Sequence, residues 1–163
     1  MSDGEIHVPM ARVEGAQLLQ LLDDFHDLVT HRDATDPAVG RLTPEAYPGD
    51  DEASRAFREA THHDLLDRRL SDVTVVRTRL EALRADVSSL THGEALTEHD
   101  VAIRADEVDA WIRTLAAVRL VIASRLGIDD EDSAPTDDPR YGVYEWLGYR
   151  LEVILQAADA LLD

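Results

Sequence analysis

Between Thr61 and Leu90 apolar residues recur at intervals of seven. Leu66, Val73, Leu80 and Val87 make one row, and Val76, Leu83 and Leu90 make a second beside it. A sevenfold repeat keeps one seam of a helix turned toward a partner helix, so this chain must bury helix against helix. The spacing predicts a bundle helix over 62–90, roughly 28 residues long. Thr61 followed by Asp64 resembles a capping box that would start it, and residues 51–60 read as a separate short helix capped by Asp50. His92 to Thr97, with Gly93, reads as its end.

Three further segments carry the same kind of stripe. Over Val13–Arg32, Leu18, Leu21, Leu22, Phe25, Leu28 and Val29 fall three and four apart, with Asp23, Asp24 and Asp27 on other faces. Over Asp106–Leu126, Val108, Trp111, Ile112, Leu115, Ile122 and Leu126 do so, and Gly127 stands where a C-terminal cap is wanted. The last helix runs from about Arg140 to Leu162 with the seam Tyr144, Leu147, Leu151, Ile154, Ala158 and Leu161. Between these lie a Pro/Gly-rich loop at 33–50, with at most one short turn of helix, and an acidic loop at 129–139. Alternation at Glu5–Val8 and around Val101–Ile103 allows one minor two-stranded pair. The expected fold is all-α: an antiparallel bundle of four to five main helices in a single domain, 1–163, with Trp111, Tyr144 and Trp146 as its large core residues.

Charge limits the partners. The sequence holds 34 acidic residues against 16 basic ones, a net charge of -18, and every basic residue is arginine. Such a field repels phosphates, so direct duplex binding is disfavoured. The charge is uneven: residues 1–54 carry -9, residues 85–163 carry -11, and residues 55–84 carry +2. An acidic partner is therefore expected on the middle segment. There Arg68 and Arg79, eleven positions apart, should project on nearly the same outward side with Asp72 close by.

Cysteine is absent, which removes disulfides, thiolate nucleophiles and thiol redox sensing. No metal or cofactor is expected. The seven histidines show no spacing that puts two ligands on one helical face, and the acidic loop lacks the glycine and terminal glutamate of a calcium loop. No GxGxxG, GxxxxGK[ST] or GxSxG run occurs. The segment His92-Gly93-Glu94 to Glu98-His99-Asp100 has residue types suited to a carboxylate and histidine site, and equally the composition of a solvated turn. No apolar run approaches a membrane span and the first ten residues resemble no signal peptide, so a soluble cytoplasmic protein is expected.

Two arginines fall inside apolar rows: Arg69 with Val76, Leu83 and Leu90, and Arg119 with Leu115, Ile122 and Leu126. A guanidinium there must keep a carboxylate or carbonyl partner or reach the bundle edge.

The runs 36–69, 106–128 and 141–155 resemble an actinobacterial family of unknown function, some of whose members are AosR-type oxidative-stress transcription regulators. The specific pieces are Arg41-Leu42-x-Pro44-x-Ala46-Tyr47-x-x-Asp50, Trp111 with Arg119 and Arg125, and Tyr144-x-Trp146-Leu147. The resemblance implies a cytoplasmic helical regulator acting with a sigma factor, and marks Arg41, Asp50, Arg58, Arg119, Arg125, Tyr144 and Trp146 as pattern positions without an assigned role. Two departures stand out. Cysteine-based sensing cannot apply here, and Leu115-Ala116-Ala117-Val118 replaces a Leu-Asn-Asp sequence before Arg119.

The functional expectation is thus a non-enzymatic regulatory or protein-interaction module, with a protein partner and with homo-oligomers allowed. The reading from another class is a small-molecule or metal-binding enzyme using the His and carboxylate residues of 92–100.

Overall fold

The computed structural model describes residues 4–43, 52–128 and 135–162. The chain runs through β1 (Glu5–Ala11), α1 (Arg12–His31), a short α2 (Pro37–Leu42) and α3 (Glu52–Leu80). Two 3₁₀ turns, Glu81–Leu83 and Val87–Ser89, lead to α4 (His92–Leu96) and β2 (Glu98–Arg104). A third turn, Ala105–Glu107, opens α5 (Val108–Leu126), and α6 (Pro139–Leu162) follows. The fold is mainly α with a minor antiparallel strand pair, as the periodicities predict.

Ion pairs fix helix direction. Asp23 of α1 and Arg32, the residue just past its end, meet Arg77 and Asp67 of α3, so these helices run antiparallel. Glu107 and Arg113, at and beyond the start of α5, meet Arg79 and Asp72, which sets α5 antiparallel to α3. Gly127, at φ +70°, closes α5 in the left-handed conformation where glycine is favoured. Asp36 caps α2, its side chain accepting from the Ala38 amide ahead of Pro37.

The strand pair extends further than the alternation suggested. All seven residues of β1 pair with β2, from Glu5 opposite Arg104 to Ala11 opposite Glu98. Ile6, Val8 and Met10 turn inward beside Val101 and Ile103 and are buried. An isolated pair is marginal in water; this one is held because β1 packs on α6 and β2 on α3. Buried residues from both strands, α1, α3, α5 and α6 form one core with Trp111, Leu18, Leu22, Leu80, Leu115 and Leu147 at its centre. Tyr144 and Trp146 are only partly buried and sit at its edge.

Three boundaries differ from the sequence expectation, each for a local reason. Helix does not restart at His62: α3 is continuous, and the Thr61 hydroxyl donates back to the Phe57 carbonyl instead of capping a new turn. The helix stops at Leu80 and does not reach 90. A 3₁₀ turn, Glu81–Leu83, follows and the backbone turns extended at Arg84; beyond it Asp86 accepts from the backbone and hydroxyl of Ser88 and caps a separate 3₁₀ turn in place of further helix. Leu83 of the seven-spaced row is still buried, but Val87 is exposed. Residues 92–96 are a short helix, capped by the Thr91 hydroxyl on the Glu94 amide, and not a break. Asp50 and residues 129–134 of the acidic loop lie outside the described residues.

Candidate functional site: an arginine groove between α3 and α5

Leu65, Arg68, Arg69 and Asp72 follow one another at offsets of three, four and seven on α3, so they share one face. Arg113, Ala116, Ala117 and Leu120 have the same offsets on α5. Because the two helices are antiparallel, Leu65 comes opposite Leu120, the arginine pair opposite the alanines, and Asp72 opposite Arg113. Together, with Ser71, they line an open groove of about 650 Å³. The alanines of the Leu115-Ala116-Ala117-Val118 departure are its floor; their small side chains leave the depth.

Charge in the groove is not cancelled. Arg113 makes a two-pronged pair with Asp72, 2.9 and 3.1 Å, which closes one end and raises the guanidinium's pKa above its ordinary value. Arg69 donates through one Nη to the Leu42 carbonyl at 3.3 Å. Its Nε is buried without a hydrogen-bond partner, and burial lowers its pKa against the pull of Asp72. Arg68 is exposed. Among the described residues neither Arg68 nor Arg69 holds an ion pair. By contrast Arg32, Arg77, Arg79, Arg84, Arg104, Arg125, Arg140 and Arg150 all hold carboxylates.

The structure separates the two arginines expected to act together. Arg68 borders the groove, whereas Arg79 is held by both oxygens of Glu107 at 2.7 and 2.6 Å, hydrogen bonds that also lower the Glu107 carboxyl below its usual range. Asp72, expected beside them, is engaged by Arg113.

Of the remaining pattern positions, Arg41, Arg119, Arg125, Tyr144 and Trp146 tie elements together. Arg41 donates to the Ile128 carbonyl at 3.2 Å, and Arg125 grips Asp36 with two bonds of 2.7 Å, so both fasten α2 to the end of α5. Arg119 donates to the Tyr144 carbonyl and lies 3.8 Å from the centre of that ring, meeting the need for a partner. Gly148 permits this: a Cβ there would come within 3.2 Å of the guanidinium. Trp146 Nε1 donates to Glu14 at 2.8 Å. Arg58 is half-buried on α3.

Sequence reasoning missed Arg150, which is buried and reaches Glu14 at 2.6 Å and the Pro9 carbonyl at 3.0 Å. The signal was present: Arg150 lies between Leu147 and Ile154 at helical spacing, as Arg69 and Arg119 do in their rows.

Elsewhere, Glu14, Gln17, Gln20, Leu21, Gly142, Val143, Trp146 and Pro139 line a groove of about 640 Å³ between α1 and α6. In the 92–100 segment His92, Glu94, Glu98 and Asp100 are exposed, and Asp100 is bonded to His7 across the strands at 2.6 Å. Among the described residues no group of three or more His, Cys, Asp or Glu side chains is placed to hold a metal ion, and no helix is long and apolar enough to cross a membrane.

A family model for a domain of unknown function, DUF2017, matches residues 1–158. The chain belongs to that family. The match spans β1 to nearly the end of α6, so both walls of the groove and the ties around it fall inside the family domain. No curated protein and no solved structure gives a significant match.

Proposed function

We propose that this DUF2017 protein is a non-enzymatic interaction module that engages an acidic segment of a protein partner through the α3–α5 groove. The observation that carries this is the pair Arg68 and Arg69. In a chain of net charge -18 they border one concavity without an ion pair among the described residues, while most other arginines are consumed by carboxylates. A rim cation of this kind accelerates encounter with an acidic surface and rejects a basic one. Within the family resemblance the finer reading is a cytoplasmic, transcription-associated regulator of the AosR type in an actinobacterium, with a sigma factor as the partner class. Its signal is then carried by contact and not by thiol oxidation, since the chain has no cysteine.

The test is affinity capture from the native cell with the wild-type protein and with Arg68→Glu, followed by mass spectrometry. One protein enriched by the wild type and lost by the variant is expected, with recovery falling as salt is raised. An identical set of captured proteins from both would overturn the proposal.

A further inference from the structure

We infer that the α3–α5 groove recognises an acidic amphipathic helix, seating an aliphatic side chain between Leu65 and Leu120 and a carboxylate one turn away on Arg68 and Arg69. This deepens the interaction reading above and rests on it.

The groove has three zones along its axis, and each constrains the occupant. One end, between Leu65 and Leu120, is apolar. In the middle the two arginines of α3 face Ala116 and Ala117. The far end is shut by the Asp72–Arg113 pair. From Leu65 to Asp72 the wall spans seven residues of helix, about 10 Å, enough for about two turns of a second helix. Both walls repeat at offsets of three, four and seven, and that is the spacing at which a helix presents anchors to a groove.

The middle zone offers donors that a partner can use without breaking an existing ion pair. Arg68 is exposed and, among the described residues, neither it nor Arg69 beside it holds an ion pair. A carboxylate placed there meets the exposed Arg68 guanidinium directly and is further attracted by the uncompensated charge of Arg69 behind it. The apolar end gives the same occupant a second requirement, because a polyanion without aliphatic side chains leaves Leu65, Leu120 and the alanine floor wet. A phosphodiester chain is further disfavoured by Asp72 in the wall and by the negative field of the whole molecule.

Fluorescence anisotropy with the full chain tests this using four labelled probes. The first is a peptide of about four turns with Leu and Glu three and four apart on one face. The second has the same composition with Leu and Glu on opposite faces. The others are a polyglutamate and a single-stranded oligonucleotide of matching charge. The first peptide is expected to bind about tenfold tighter than any other probe, with affinity falling as salt rises. Arg68→Ala should weaken it several-fold. Ala116→Tyr, at an exposed position on the groove floor, should abolish binding while leaving circular dichroism and melting temperature unchanged.

Equal binding of polyglutamate or oligonucleotide, no binding of the first peptide, or undiminished binding by a folded Ala116→Tyr would each overturn the inference. Failure of the broader reading looks different. If Ala116→Tyr captures the cellular partner like wild type while Arg68→Glu does not, the helix-in-groove proposal falls, and engagement of an acidic segment at the Arg68 rim of the groove stands. If both variants capture it like wild type, both fall.

Discussion

Glu14, in the first turn of α1, and Arg150, midway along α6, meet at 2.6 Å although 136 positions separate them. The same carboxylate accepts from Trp146 Nε1 at 2.8 Å and from the Ala11 amide at 3.3 Å, while Arg150 also donates to the Pro9 carbonyl. One acidic side chain therefore joins β1, α1 and α6. Arg150 is nearly inaccessible, so its charge is tolerable only while Glu14 stays ionised beside it.

Removing either partner alone should accordingly cost more than removing both. Glu14→Ala leaves a buried guanidinium without its carboxylate and is expected to lower stability by about 2–3 kcal/mol. Arg150→Met in the same background should recover part of that loss. Urea denaturation with an unchanged m-value is the measurement; a double variant as unstable as the sum of the singles would rule out the coupling.

Acid should unfold the protein through these carboxylates. Burial raises the Glu14 pKa, yet its bonds from Arg150 and Trp146 outweigh that and hold it below the usual carboxylate value. Hydrogen bonds from Arg84 lower Asp23, those from Arg125 lower Asp36 and those from Arg79 lower Glu107. A group whose folded pKa is depressed contributes stability that is complete above its unfolded value, about 4, and is lost as pH falls through the folded one. The urea midpoint should thus be flat above about pH 5 and decline steadily below about pH 4. A midpoint that stays constant down to about pH 3 would show that these pairs add nothing.

Two helical glycines should respond oppositely to alanine. Gly15 of α1 lies against Leu83, and a Cβ there would come within 2.9 Å of the leucine Cβ. Gly15→Ala is therefore expected to cost about 1–3 kcal/mol by overpacking. Gly142 of α6 faces open space, so Gly142→Ala should stabilise by about 0.5–1 kcal/mol through helix propensity. Thermal unfolding reads both, and equal shifts of one sign would contradict the packing described.

How much of this was legible follows from what periodicity encodes. A seven-residue repeat reports which side of a segment faces the core, so the buried Leu66, Val73, Val76, Leu80 and Leu83 are all evident from spacing. It does not report whether the backbone stays helical: the chain turns extended at Arg84, and Asp86 with Ser88 then forms a separate turn where the repeat would have carried helix through Val87 to Leu90. The groove was half legible. The charge excess of 55–84 located its arginines, and Arg69 stood out among leucines and valines. Its other wall depends on α5 lying antiparallel to α3, a long-range relation that neither helix states alone. Arg79 shows the same limit: its helical position matches that of Arg68, but Glu107 reaches it from a turn 28 residues away.

That difference between Arg68 and Arg79 yields the sharpest separation of structural from interactive charge. Arg79→Glu would set a carboxylate against Glu107, with Glu5 and Asp106 also near, where the wild type has a two-pronged pair. A drop of several degrees in melting temperature is expected, since one kcal/mol is worth about 2–4 °C in a chain of this size. Arg68→Glu breaks no ion pair among the described residues and should leave the melting temperature within about 1 °C, as surface changes usually do. Binding of an acidic peptide should show the reverse order, with the loss concentrated in the association rate and shrinking at high salt for Arg68→Glu. For Arg79→Glu any loss should follow the fraction unfolded. If Arg68→Glu melts early, or if Arg79→Glu lowers the association rate while fully folded, the assignment of the two arginines is reversed.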